Sequence, residues 1–289
     1  MTHKKTAIKT IYFSIAGNTA LAIIKWITGY FGNSYALIAD AIESTTDIFS
    51  SLLVLIGIKY SNRPADKNHP YGHGRAEALI TFLVVAFLVT SAMVIAYQSI
   101  RNIGTPHELP EPYTLIILGM IIIWKEISYR FVNKKSKETN SSSLKADAWH
   151  HRSDAITSVS AFIGISIALI FGKGYESADD IAALVAAVFI LYNSYLIFRP
   201  ALGEIMDEHL YENVADKIRE TAKKANGIID TEKCHIRKTG MKYHVDLHAT
   251  VDANLTVKEG HTIAHNLKDL LLKEIPELAD VLIHIEPHE

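Results

Sequence analysis

Long apolar runs separated by short polar loops occupy the first two thirds of the chain, and a shorter-period pattern occupies the rest. A helix needs about 20 apolar residues to cross a bilayer, and six segments have that length: 11–30, 36–60, 76–100, 113–132, 144–171 and 178–198. The second and fifth carry polar stripes, so hydropathy alone is expected to score them poorly. Beyond Pro200 the period changes. Leu210, Val214, Ile218 and Ala222 recur every four residues, as in a short amphipathic helix. A strand is expected over 228–238, then a turn at Gly240. Strict alternation follows, with Tyr243, Val245, Leu247, Ala249 and Val251 on one face and His244, Asp246, His248 and Thr250 on the other. Thr256 is placed to cap a second helix reaching Lys273, and a last strand over 281–286 puts His284 and Glu286 on its polar face.

The pattern predicts an α-helical membrane protein. Residues 1–207 form a six-transmembrane-helix bundle, and residues 208–289 form an α+β domain in the order α-β-β-α-β with both helices on one side of the sheet. Hydrophobic residues make up 49% of the chain, a high share for a soluble protein. A formal net charge of -2 gives no electrostatic support to a nucleic-acid partner. One cysteine, Cys234, excludes an internal disulfide framework and a thiolate-rich zinc cluster.

Basic residues set the orientation. Lys4, Lys5 and Lys9 precede the first segment; Lys59, Arg63, Lys67 and Arg75 follow the second; Arg130, Lys134, Lys135, Lys137 and Lys145 follow the fourth. The alternate loops hold Arg101 and Lys173 beside Glu108, Glu111, Glu176, Asp179 and Asp180. Both termini are therefore expected in the cytoplasm, with the protein in the cell (inner) membrane. The first apolar run has full membrane length and no clear small-residue cleavage site, as in an uncleaved first span.

Two stretches repeat. Ala39-Asp40-Ala41-Ile42-Glu43-Ser44-Thr45-Thr46-Asp47 in the second segment is echoed by Ala146-Asp147-Ala148-Trp149-His150-His151-Arg152-Ser153-Asp154 in the fifth. Positions i, i+3 and i+7 share a helix face, so Asp40, Glu43 and Asp47 form one stripe and Asp147, His150 and Asp154 another. An odd number of spans separates them, so the two helices run oppositely, as in two inverted three-helix halves. Carboxylates at a bilayer centre cost roughly 2.5–3.5 kcal/mol each, so these must face each other, water or a cation. Glu43, Asp47, His150 and Asp154 then present four ligands to a divalent ion, zinc by preference, with iron, cobalt, manganese and cadmium as competitors. Three carboxylates and a neutral imidazole overcompensate that ion by one charge, which links metal release to proton uptake. The bland alternative is ion pairing of the acids with Lys25, Lys125 or Arg152. Asp40 and Asp147 lie nearer the helix ends, where capping and dipole compensation are expected instead.

Asp66, His69 and His73 lie in a compact Pro- and Gly-containing loop and form a second candidate metal set. His244, His248, His284 and Glu286 on the polar strand faces, with His261 and His265 at i, i+4 on the second helix, form a third. No nucleophile with an oriented base, phosphate-binding Gly loop or His-Glu-x-x-His pattern is present. A membrane-embedded metalloenzyme and a metal sensor that moves nothing are the rival classes.

Taken together, the Ala-Asp-Ala-x-x-x-x-x-Asp and Ala-Asp-x-x-His-x-x-x-Asp helices resemble the cation diffusion facilitators. So do the Pro-Ala-Asp-x-Asn-His-x-x-Gly-His-Gly loop and the Val-Leu-Ile-His-Ile-Glu-Pro ending, and the likeness covers essentially the whole chain. It implies a homodimeric divalent-metal/proton antiporter in the lipid bilayer that exports metal from the cytoplasm, with a ferredoxin-like cytoplasmic domain. It implies a transport site at Glu43, Asp47, His150 and Asp154, and a loop site at Asp66, His69 and His73. It also implies cytoplasmic sites at His248, His261, His284 and Glu286, often bridging the dimer. Two positions depart from the family pattern. Glu43 stands where His or Asp is usual, and Glu232, with His235 nearby, stands where a His opens the first strand.

Overall fold

The computed structural model describes residues 2–31, 35–103, 112–171, 178–208 and 210–288. The chain divides into two compact units, one of Met1–Arg63 with Ala76–Ala201 and one of Pro64–Arg75 with Leu202–Glu289.

Six long helices build the first unit: α1 (Thr2–Phe31), α2 (Tyr35–Ser61), α3 (Ala76–Asn102), α4 (Tyr113–Thr139), α5 (Ser142–Phe171) and α6 (Ala178–Ile205). Several outrun the apolar segments that announce them, because a polar sequence can continue a helix past the point where hydropathy falls. α4 runs seven residues beyond 132, and α6 continues through Pro200, which removes one backbone donor within the helix. Among the described residues four helices have stretches long and apolar enough to cross a membrane, in α1, α3, α5 and α6. The fifth therefore scores well, contrary to expectation, because its apolar run follows Asp154. The fourth does not, because Lys125, Glu126 and Arg130 interrupt it.

Contacts give the helix directions. Ser51 meets Asp147 and Asp47 meets His150, so numbers fall along α2 as they rise along α5, and the two are antiparallel. Asn18 meets Ser51 and Lys25 meets Ser44, which makes α1 antiparallel to α2. Lys125 meets Asp154 and Tyr129 meets Trp149, which does the same for α4 and α5. At Gly17 a Cβ would lie 2.8 Å from Trp124 Cζ2, so the absent side chain lets α1 and α4 close on one another. Glu77, fully buried on α3, caps α5 from outside: Ser141 Oγ and Ser143 Oγ donate to its Oε1, the latter at 3.1 Å, and the Ser143 N–H points to it at 3.4 Å.

The second unit contains α7 (Glu212–Ala222), β1 (Asp230–Thr239), β2 (Lys242–Asp252), α8 (Val257–Glu274) and β3 (Leu278–His288). The sheet order is β1-β2-β3, with β1 antiparallel and β3 parallel to β2, and α7 and α8 pack with it in the ferredoxin-like α-β-β-α-β arrangement. Gly240, at φ 65°, opens the two-residue turn between Thr239 and Lys242 that sets the β1–β2 register. The apolar face of β2 is buried as its alternation requires, against Leu267 and Leu271 of α8 and Ala215 and Ile218 of α7. Thr250, expected on the polar face, is also buried and donates to the Asp230 carbonyl at 3.2 Å. Thr256 and Glu259 form a reciprocal capping box at the start of α8. Cys234 is a buried core residue whose thiol burial pushes up to about 11, so it offers no ready thiolate.

Replacing Glu77 with Ala strands two hydroxyls and a backbone donor at the head of α5, a cost of about 1–3 kcal/mol. The melting temperature in detergent should fall clearly for Glu77→Ala and less for Glu77→Gln, which keeps an acceptor; equal melting of the two variants would remove the cap from the account.

Candidate metal centre

Asp47 on α2 and His150 and Asp154 on α5 come together where these helices cross, with one possible ligand atom from each lying within 4.8 Å of the others. The i, i+4 spacing puts His150 and Asp154 on one face of α5, and that face meets α2 at Asp47. His150 Nε2 is 2.9 Å from Asp47 Oδ1 and 4.0 Å from Asp154 Oδ2. Donors bound to one tetrahedral ion at about 2.0–2.2 Å are roughly 3.3–3.6 Å apart, a spacing that these two distances bracket. Side-chain exposures of 8%, 11% and 20% for Asp47, His150 and Asp154 keep the group largely out of solvent. The side chains of Glu43 and Asp40 lie outside the described residues.

Lys125 of α4 reaches the same acids. Its Nζ donates to Asp154 Oδ2 at 2.7 Å and Asp47 Oδ2 at 3.0 Å, and lies 3.3 Å from Asn18 Oδ1. The ion pair and the converging donor set thus occur together rather than as alternatives. Nearby, Arg152 is paired with Glu126 and lies over the Tyr129 ring.

A polar network that the sequence reading does not foresee continues from Asn18. Its Nδ2 donates to Ser51 Oγ at 3.3 Å, and Ser51 donates to Asp147 Oδ1 at 3.1 Å. Ser14 donates to Asp147 Oδ2 at 2.8 Å and lies 3.2 Å from His151 Nε2. Asp147 therefore has a different task from the capping expected of it. It is fully buried and is satisfied by hydroxyls from α1 and α2. Ser14 and Asn18 share a face of α1 at i, i+4, as Asp147 and His151 do on α5, and these spacings are the traces of the network in the sequence.

The loop candidates also converge. Asp66 Oδ1 accepts the backbone N–H of Asn68 at 2.9 Å and of His69 at 2.7 Å, and its carboxylate faces His69 Nδ1 at 3.1 Å and His73 Nε2 at 3.4 Å. The loop packs within the second unit through Arg75, paired with Asp207 at 2.6 Å, and through Gly74, where a Cβ would meet the Thr239 backbone at 2.6 Å. These backbone hydrogen bonds, that from His69 first, hold the Asp66 carboxyl below its ordinary 3.8.

On the sheet, the register places His248 opposite His284 and Thr250 opposite Glu286. His248 Nδ1 lies 2.6 Å from Glu286 Oε1, and His284 Nε2 lies 3.8 Å from it. The hydrogen bond from His248 holds the Glu286 carboxyl below the usual glutamate range, and the charges of His248 and His284 add to this. Neither Glu232 nor His235 belongs to the converging group; His235 sits in register with Asp246. His261 is not part of the triad. It stacks edge-on against His265 at 4.5 Å and lines, with His284, a cavity of about 480 Å³.

Residues 11–206 match the cation efflux transmembrane domain and residues 210–288 the cytoplasmic domain of cation efflux proteins. The chain is 29% identical to the manganese efflux system protein MneP of Bacillus subtilis, over 97% of this chain and 96% of that protein. It is 31% identical to MneS of the same organism, over 96% of this chain and 94% of that protein. With the cation-efflux pump FieF of Yersinia pestis it shares 28% identity, over 92% of this chain and 88% of that protein. Among solved structures, a nickel form of the MamM CTD aligns at 22% identity and a TM-score of 0.27, over 27% of this chain and 99% of that one. The protein is a multi-pass membrane transporter of divalent metal ions and not an enzyme. It belongs to the cation efflux family, the cation diffusion facilitators.

The depressed Asp66 carboxyl carries a pH signature. A carboxyl whose folded value lies below 3.8 contributes loop stability in full above that pH and loses it as pH falls through the depressed value. The Asn68 and His69 amide resonances should shift together with a midpoint below 3.8; a midpoint above it refutes the hydrogen-bonded assignment.

Proposed function

We propose that the protein exports a divalent metal ion, zinc by preference, from the cytoplasm in exchange for protons. The convergence of Asp47, His150 and Asp154 in a buried crossing of antiparallel helices carries this reading. Glu43, one turn before Asp47 on α2, supplies the fourth ligand. Metal enters from the cytoplasmic side, where both termini lie, and the bundle rocks to open outward. Inward-moving protons then neutralise the carboxylates that the metal has left, because clustered acids out of water repel one another. The loop set Asp66, His69 and His73 and the sheet set His248, His284 and Glu286 bind further ions that stabilise or regulate. The cytoplasmic domain joins two copies into a homodimer in the cell membrane, with His261 available to a site completed by the partner copy.

A second reading, manganese as the cargo, is favoured by the names of MneP and MneS. Three carboxylates with one imidazole suit manganese as well as zinc.

Flux into proteoliposomes tests the site. Truncating an acid would deprive the buried Lys125 ammonium of an acceptor as well as a charge, so amides, which keep a carbonyl oxygen for it and leave the other acid in place, are the better substitutions. Asp47→Asn and Asp154→Asn should each lower zinc or manganese flux by at least about tenfold while the elution profile stays that of the wild type. Survival of flux in either variant refutes the site, and flux indifferent to an imposed pH gradient refutes the exchange with protons.

A further inference from the structure

We propose that Lys125 is a tethered competitor for the transported ion: a cation built into α4 that holds Asp47 and Asp154 between transport events and yields them when metal binds. The inference rests on the transport-site reading above and adds to it a residue that sets affinity.

Three observations carry it. The Lys125 side chain is 2% exposed, so its charge is answered from within the bundle. Its ammonium lies 2.7 Å from Asp154 Oδ2 and 3.0 Å from Asp47 Oδ2, which are two of the three groups that converge as metal donors. A metal drawing on those carboxylates needs the oxygen lone pairs that now accept from Lys125, and two cations sharing a dry pocket repel strongly. Asn18 Oδ1, 3.3 Å from the same nitrogen, belongs to none of the donor groups. The flexible four-carbon stem lets the ammonium withdraw from the acids while keeping that acceptor.

The consequence is a transport site that is never two bare acids. Lysine in place of metal offsets part of the emptied site's negative charge in a low-dielectric setting and leaves the rest to protons, and the same competition weakens metal binding and so hastens release. A lysine that merely braced the acids for metal would have the opposite effect, because removing it would loosen the site and weaken binding. The sign of the change in affinity therefore decides between the two.

The test uses the full chain in detergent, with zinc and manganese chlorides as calorimetric probes. Lys125→Met should bind at least about tenfold more tightly than wild type and turn over more slowly in proteoliposomes, whereas Lys125→Arg should bind close to wild type. Unchanged or weaker binding by folded Lys125→Met overturns the proposal. Should that variant not fold, amine labelling of Lys125 in the wild type, quantified by mass spectrometry, gives the answer. Saturating metal should raise the labelling, and unchanged or lower labelling overturns the proposal. Asp154→Asn, measured alongside, separates the two readings. If it loses binding while Lys125→Met matches wild type, competition is wrong and the site stands; if it binds as wild type does, the site itself is wrong and competition falls with it.

Discussion

An ammonium group and two carboxylates, shut in among apolar helices, fix how the bundle is put together. Opposite unit charges 4 Å apart attract by about 4 kcal/mol at an effective dielectric of 20, and moving each ion out of water costs several kcal/mol. Such a group is tolerable only when every member is in place. α2, α4 and α5 each contribute one or more of these charges, so none can rotate or slide without turning a charge toward lipid, at roughly 2.5–3.5 kcal/mol per group. α1 closes the remaining side with Asn18 and Ser14, and the missing side chain at Gly17 is what lets it come close enough.

The other two donor clusters meet no such constraint. Asp66 and His69 are half exposed, and His284 is more exposed still. Water can solvate these side chains in any arrangement, so their convergence comes from local geometry: a hydrogen-bonded turn in the loop and strand register on the sheet. The buried cluster requires a charge partner to exist at all; the others, each with members open to solvent, do not. This difference in cost is the physical ground for proposing the helix crossing, rather than the loop or the sheet, as the place where an ion is moved.

Much of this was legible in the residues. The i, i+4 spacings on the second and fifth segments put Asp47, His150 and Asp154 on matching faces, and strict alternation identified the buried face of β2. What spacing could not show was the contribution of helices without a repeated motif. Lys125 is one of three possible ion-pair partners in the sequence, and spacing could not choose it over Lys25 or Arg152 because its acids lie 29 and 78 positions away. Glu77 was hidden for a similar reason: an acid in a first turn looks like dipole compensation for its own helix, whereas it serves the head of another. Helix ends were misjudged because hydropathy marks the hydrocarbon and not the hydrogen-bonded spiral. His261 is grouped with His284 by the family resemblance; in one copy it shares a cavity with His284 but does not join the converging His248, His284 and Glu286.

Asn18 carries a consequence of its own. Its carbonyl oxygen faces Lys125 and its amide nitrogen faces Ser51, so the hydrogen bonds beyond it all point toward Asp147. A carboxamide does not pass protons along as water or a hydroxyl does. The chain of contacts from the ion pair to Asp147 and His151 is therefore an insulator for hydrogen ions despite being continuous. Any that exchange at Asp47 or Asp154 must arrive by another way, and Asp154, 20% exposed against 8% for Asp47, is the less enclosed of the two acids.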